Sequence, residues 1–331
     1  MDAVAGANTL LTPTYKLLYG SKDITKDVSN YVTNIDYTDF EHGQSDEINI
    51  TFEDSENLWH SAWIPTKGDI LTLKIGYEGE KLLNCGKFEI DELEYETPPD
   101  IVTVKALAAS IKKALRQKNS IAYENKTLKQ IASEIAKKHD LTLVGSIADI
   151  KVQRITQNQQ RDLEFLKKLA EEYGYIFKIT SDKLVFYETE KLKSANPTRI
   201  FYKKDLSRIS LSEKTSQKYK AVQVSYHNPK TGKTIKTTVK NQSVVNGDTL
   251  KITSRCENRQ QASIKAKAAL NTADIAMEGT IELIGNQYLV AGINIELKGL
   301  GHFSGKYHVT QASHKIDKAT GYKTVLEVKS C

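Results

Sequence analysis

The 331-residue sequence predicts a β-rich α+β protein in which two similar β-barrel domains flank an α+β middle domain. Three observations predict it. Short runs of alternating apolar and polar residues dominate both ends of the chain, helical spacing is concentrated between them, and three strand-like segments near the start recur in the same order near the end. The expected boundaries are a first β-barrel over 1–107, an α+β domain with helices and a hairpin over 108–200, and a second β-barrel with an inserted helix over 201–331.

Within residues 13–107, runs such as Leu71-Thr-Leu-Lys-Ile75 and Phe88-Glu-Ile-Asp-Glu-Leu93 have the period of half-buried strands. The pattern changes at Ala106, where Leu107, Ile111 and Leu115 recur at helical spacing. A better helix comes next: Thr127 and Gln130 form a capping box, and Leu128, Ile131, Ala132, Ile135 and Ala136 make one apolar stripe ending at Lys137-Lys138-His139. A further helix is expected from about Arg161 to Tyr173, with Leu163, Leu166, Ala170 and Tyr173 on one face and Gly174 as a left-handed stop. Tyr175-Ile-Phe-Lys-Ile179 and Leu184-Val-Phe-Tyr187 then flank the turn residues Ser181-Asp182 as a hairpin. After Asn196-Pro197 strand patterning resumes, interrupted by one Ala-rich helix near Gln260–Asn271.

The repeat pairs Gly68-Asp-Ile-Leu-Thr-Leu-Lys-Ile-Gly76 with Gly292-Ile-Asn-Ile-Glu-Leu-Lys-Gly299, and Gly86-Lys-Phe-Glu-Ile90 with Gly305-Lys-Tyr-His-Val309. The closing strands pair as Ile101-Val-Thr-Val-Lys105 with Thr324-Val-Leu-Glu-Val328. Duplication places Leu73 and Leu297 at equivalent inward positions.

Composition excludes several classes. Hydrophobic residues make up 39% and charged residues 27%, which is too apolar for a disordered chain. No apolar run approaches the roughly 18–20 residues of a spanning helix, so no membrane anchor is expected. No Lys or Arg precedes Leu10-Leu11, so the basic start of a signal peptide is missing. Cys85, Cys256 and Cys331 lie too far apart for a disulfide framework or a zinc spacing and are read as thiols. Residues 201–240 hold ten Lys/Arg against two Asp/Glu, which reads either as an anion-binding surface or as a solvated Lys-rich hairpin; the missing aromatic and Arg clusters favour the hairpin.

Catalytic constellations are sparse. Gly232-Lys-Thr234 resembles the end of a phosphate loop without its first glycine, and Gly299-Leu-Gly301 followed by Gly305 misses the dinucleotide spacing, so no cofactor is expected. His302, His308 and His314 recur every six residues, about 20 Å apart along one strand, too far for a shared metal. Glu53-Asp54 and Glu171-Glu172 are neighbours in sequence, and such pairs point apart on a strand or helix. Trp59 and Trp63 are expected to plug the end of the first barrel rather than to stack on a sugar.

Taken together, several segments resemble the late control protein D family of contractile phage tails, relatives of the N-terminal hub part of VgrG spike proteins. Tyr15–Thr25 is similar to the family's opening strand pair, including Asp23, Ile24 and Thr25. Ser45–Asp54 is similar to the family's next strand, and Trp63–Asp69 also resembles the family. The most specific stretch is Gln157–Gly174, with Gln157, Asp162-Leu163, Phe165-Leu166, Leu169-Ala170 and Gly174 in family order. Gly305, Tyr307, His314, Gly321 and Tyr322 match the last barrel. The resemblance implies a structural baseplate hub: a homotrimer whose two barrels per chain make a ring of six, joining a sixfold tail tube or baseplate protein to a threefold spike protein. Nucleic acid would only pass through its channel, and the hub would be assembled in the bacterial cytoplasm and act in the tail baseplate of a virion or extracellular contractile particle. Because the sequence ends at Cys331 without a lysozyme-like, peptidase or spike segment, wall digestion is not expected. The alternatives are a hub-associated peptidoglycan hydrolase, marked by convergent acids in a deep cleft, and an all-β adhesin or nucleic-acid-binding module built on residues 201–240.

Overall fold

The computed structural model describes residues 11–108, 117–180, 183–213, 219–228, 231–242, 244, 246–273 and 277–331. The first module comprises β1 (Pro13–Tyr19), β2 (Lys22–Asp23), one helical turn α1 (Thr25–Val28), β3 (Val32–Phe40), β4 (Glu47–Glu53), β5 (Ile70–Tyr77), β6 (Leu83–Glu96) and β7 (Ile101–Ala108). In space its main strands run β3-β4-β7-β6-β5-β1, all antiparallel. The alternating residues converge on one core that includes Ile35, Ile50, Leu73, Phe88 and Val104. Burying each such side chain contributes roughly 1.5–3 kcal/mol. Leu107 lies in β7 rather than in a helix, while Ile111 and Leu115 fall outside the described residues.

The middle of the chain holds β8 (Lys118–Thr127), α2 (Leu128–Lys138), β9 (Thr142–Val144), β10 (Lys151–Arg161), α3 (Asp162–Tyr173), β11 (Tyr175–Thr180), β12 (Lys183–Glu188) and α4 (Thr189–Ser194). The capping box forms: Thr127 Oγ1 accepts from the Gln130 amide at 3.2 Å and Gln130 Oε1 accepts from the Thr127 amide at 2.8 Å. All five stripe residues of α2 are buried, together with Phe165, Leu166 and Ala170 of α3, against β11 and β12. The buried face of α3 is turned from the expected one, since Phe165 and Leu169 are buried and Leu163 only partly. Gly174 ends the helix at φ 79°. The hairpin forms from β11 and β12, and its turn residues Ser181-Asp182 lie outside the described residues.

The second module comprises β13 (Arg199–Tyr202), β14 (Arg208–Glu213), then an insertion with β15 (Ala221–Asn228), β16 (Lys233–Lys240), β17 (Thr249–Thr253) and α5 (Arg259–Ala273), and finally β18 (Met277–Ile284), β19 (Asn294–Lys298), β20 (Gly305–Asp317) and β21 (Gly321–Ser330). The expected inserted helix is thus accompanied by a three-stranded sheet with its own core around Val222, Val224 and Ala266. The module itself runs β14-β18-β21-β20-β19-β13.

That order repeats the first module strand for strand: β13 stands for β1, β14 for β3, β18 for β4, β19 for β5, β20 for β6 and β21 for β7. Leu73 faces Gly86 across β5 and β6, and Leu297 faces Gly305 across β19 and β20. Both leucines are fully buried. A bulge interrupts β6 between Ile90 and Glu92, and one interrupts β20 between Val309 and Gln311, the equivalent place. Two differences remain. β1 is antiparallel to β5, whereas β13 is parallel to β19. The closing strands are also offset by one from the sequence pairing: Ala106 opposes Ile90 and Val328 opposes Val309, so Val104 corresponds to Leu326 and Val102 to Thr324. One residue of slip exchanges the two faces of a strand, and only this register keeps both sets of buried residues inward.

Candidate assembly surface

The two β modules share one 13-stranded sheet, because β3 pairs with β20 over seven consecutive positions from Asn34 opposite Asp317 to Phe40 opposite Gln311. Tyr37 stacks on His314 there, ring centres 5.9 Å apart. The buried His314 accepts the Tyr322 hydroxyl proton at Nδ1 (2.8 Å) and donates from Nε2 to the Leu289 carbonyl (2.9 Å), an arrangement that needs the neutral ring. Burial lowers its pKa to about 4.

Charged groups lock the seam to the middle of the chain. Lys178 of β11 bridges Asp39, at the end of β3, and Asp46, 2.8 Å away. The second oxygen of Asp39 accepts from the Ala291 amide at 2.8 Å, so one buried carboxylate ties both modules and β11 together. Burial pushes the Asp46 carboxyl up to about 6, with Lys178 opposing and Asp39 adding to the rise. For Lys178 burial acts downward, but the two carboxylates outweigh it and hold its pKa above the ordinary value. Beside this cluster both ring nitrogens of His308 face acceptors, Glu41 Oε1 at 2.5 Å and Asn294 Oδ1 at 2.6 Å. Tyr77 donates to the Gly285 carbonyl at 3.0 Å, and Gln287 donates to Glu80, closing a second link.

The residues that carry the family resemblance fall into three separate places. Asp23, Ile24 and Thr25 stitch the first corner: Thr25 Oγ1 donates to Asp23 at 2.6 Å and accepts from the Leu17 amide at 2.9 Å, while the Ile24 amide donates to the Leu17 carbonyl. Gln157 and Asp162 meet in the middle domain, where Asp162, fully buried, accepts from Gln157 (2.7 Å), Asn119 (3.0 Å), Lys138 (2.8 Å) and His139 (2.7 Å). Burial pushes this carboxyl up, yet the hydrogen bonds and the Lys138 charge together hold it below its usual range. Phe165, Leu166, Leu169 and Ala170 pack beneath it, with Leu163 at the margin. Gly305, Tyr307, His314, Gly321 and Tyr322 lie on β20 and β21; Tyr307 is buried and donates to the Phe303 carbonyl at 2.9 Å.

The residues that could carry chemistry do not converge. His302 pairs with Glu213, far from the environments of His308 and His314, and among the described residues no group of three His, Cys, Asp or Glu could hold a metal. Asp54 is buried and accepts from the amides of Trp59 and His60, a turn-stabilising role. Trp59 is buried and stacks on Phe52 at 3.7 Å, whereas Trp63 is 43% exposed and packs edge-on against Tyr31 and Trp59. The Gly232-Lys-Thr234 segment joins β15 to β16, and Lys236 and Lys240 point outward there while Ile235 and Val239 face the core of the insertion. A cleft of about 240 Å³ between the middle domain and the insertion contains Glu172 and Glu257. Glu172 is paired with Lys265 at 2.7 Å, and Glu257 accepts from the amides of Gln153 and Arg154. Cys85, Cys256 and Cys331 are free thiols. Among the described residues no helix is long and apolar enough to cross a membrane.

Sequence reasoning missed Asp39, Glu41, Asp46 and Lys178. Each occupies an ordinary strand-end or outward position in its own segment, and no local spacing marks a partner more than a hundred residues away.

A family model described as the Alg8 N-terminal domain matches residues 28–318. The chain belongs to that family. Among curated proteins it is 31% identical over 192 residues to a probable baseplate hub protein of Escherichia phage 186, covering 57% of this chain and 49% of that protein. It is 32% identical over 203 residues to a probable baseplate hub protein of Escherichia phage P2, covering 60% and 52%. The chain therefore spans about half the length of the curated relatives it matches. Among solved structures, a tail protein from Neisseria meningitidis MC58 superposes with a TM-score of 0.74 at 10% identity over 96% of both chains, which shows the fold. The resemblance to the late control protein D family read from Gln157–Gly174 stands with these relatives.

Proposed function

We propose that this chain is a structural baseplate hub of a contractile tail or related injection machine, adapting a sixfold tail tube to a threefold spike. The observation that carries this reading is the duplication: one chain presents two modules of identical strand order in one continuous sheet, so three copies supply six equivalent modules. The buried Asp39–Ala291 and Glu41–His308 links between the modules support it further, since a symmetry adaptor has to hold its two modules at a fixed angle. The curated relatives named probable baseplate hub proteins support the hub part of this reading. In this reading the chain works by geometry and has no catalytic site; its partners are further copies of itself, a trimeric spike and a tail-tube or baseplate protein, and nucleic acid only passes through the channel. Its place is the baseplate of the virion or extracellular particle.

Co-expression with a trimeric tail-spike protein of the same particle tests the proposal. A complex that survives gel filtration with three hub chains by light scattering is expected, together with blank zymograms on cell wall. Wall lysis by the purified chain would overturn the non-enzymatic part, and a chain that binds neither spike nor tube protein would overturn the hub itself.

A further inference from the structure

The duplication leaves a strand pairing that one chain cannot satisfy. Within the chain, β3 of the first module is paired with β20 of the second. Their equivalents are β14 and the C-terminal half of β6. β14 pairs with β18 on one side, and among the described residues nothing pairs with its other edge. Beyond the bulge, Glu92–Glu96 of β6 pairs only with β7, because β5 covers β6 no further than Glu89. Both free edges carry mostly exposed residues. Exposed unpaired strand edges template pairing with another chain unless they are covered.

We propose that β14 of one copy adds antiparallel to Leu93–Glu96 of β6 in a second copy, in the register already used inside the chain. Transferring the β3–β20 register fixes the pairs. Tyr37 opposite His314 becomes Leu211 opposite Tyr95, Asp36 opposite Lys315 becomes Ser210 opposite Glu96, and Thr38 opposite Ser313 becomes Ser212 opposite Glu94. The chemistry of both edges fits this register. Leu211 packs against the core of the second module, and Tyr95, 46% exposed, lies opposite the buried Val102; pairing brings these two apolar side chains onto one face, as Tyr37 and His314 are in the internal seam. On the other face Glu94 and Glu96 meet serine hydroxyls, with Arg208 diagonal to Glu96 and no like charge directly opposite either. The two edges differ, so the contact is head to tail and propagates until it closes into a ring. The strand pairing rests on the duplication alone; closure after three copies rests on the hub reading.

Cysteine pairs test it in the full chain, with Cys331→Ser removing the exposed native thiol. Directly opposed residues place their β-carbons about 4.5–5.5 Å apart, within reach of a short bis-maleimide. Ser210→Cys with Glu96→Cys, and separately Ser212→Cys with Glu94→Cys, should give a covalent ladder ending at trimer on a denaturing gel, while each single-cysteine variant stays uncrosslinked. Three chains by light scattering with no ladder from either pair overturn the strand pairing and leave the hub reading standing. A ladder ending at another number supports the pairing and overturns the threefold count. A concentrated chain that stays monomeric and uncrosslinked overturns both.

Discussion

Gly174 offers a test in which backbone strain and tertiary packing can be measured separately. It sits at φ 79°, a conformation that costs a residue with a β-carbon roughly 1–2 kcal/mol. A β-carbon placed there would also stand 3.2 Å from the Ala268 β-carbon on α5, inside the ordinary contact of about 3.5–4.0 Å. Gly174→Ala should therefore cost about 2 kcal/mol, of which the close contact supplies on the order of 0.5–1 kcal/mol. Pairing it with Ala268→Gly removes the contact and keeps the strain, after allowing for the roughly 0.5–1 kcal/mol that glycine costs within a helix. Gly174→Asn does the reverse, since asparagine tolerates the left-handed region better while keeping the β-carbon. Hydrogen exchange followed by mass spectrometry on peptides from α3 and β11 reads these differences locally, which suits a chain of several cores. A neutral Gly174→Ala would refute the strain, and a coupling of zero in the double-mutant cycle would refute the docking of α5 against the end of α3.

The pH response should be a balance of two opposed groups near the seam. His314 is kept neutral at a pKa of about 4 while the unfolded chain takes up its proton near 6.5, so stability falls as pH drops through that window, by on the order of 3 kcal/mol at most. Asp46, at about 6 against 3.8 unfolded, binds its proton earlier in the folded state, so its contribution rises as pH falls from about 6 to 4. Urea midpoints followed by fluorescence of the buried Trp59 should thus depend weakly on pH in the native chain, fall on acidification in Asp46→Asn, and lose the His314 slope in His314→Gln; parallel profiles in all three would exclude the assignment. Gly279→Ala should detach β14, because its β-carbon would lie 1.9 Å from the Ser210 carbonyl oxygen; raised exchange in β14 with β18 and β21 unchanged is the expected signature. Lys178→Met should leave Asp39 and Asp46 as adjacent buried carboxylates and cost about 3–5 kcal/mol, which Asp46→Asn should partly restore.

The amino-acid sequence determined by itself the part written within a few residues of each position. The start of α2 at Thr127, the end of α3 at Gly174 and the alternation of β5, β6 and β11 come from caps, dihedral preferences and periodicity, which act between near neighbours. The duplication was legible for the same reason, since each copy carries its pattern locally. The tertiary structure alone decided the rest. The sequence pairs residues 101–105 with 324–328, and burial on both sheets moves the match by one residue to 323–327. Nothing around Asp39, Asp46 or Lys178 announces that they meet, because a strand-end charge is equally stable in water until long-range pairing removes the water from around it. The seam between β3 and β20 joins residues almost three hundred positions apart, and its register is set by which faces become buried together, a property of the assembled sheet that neither strand holds alone.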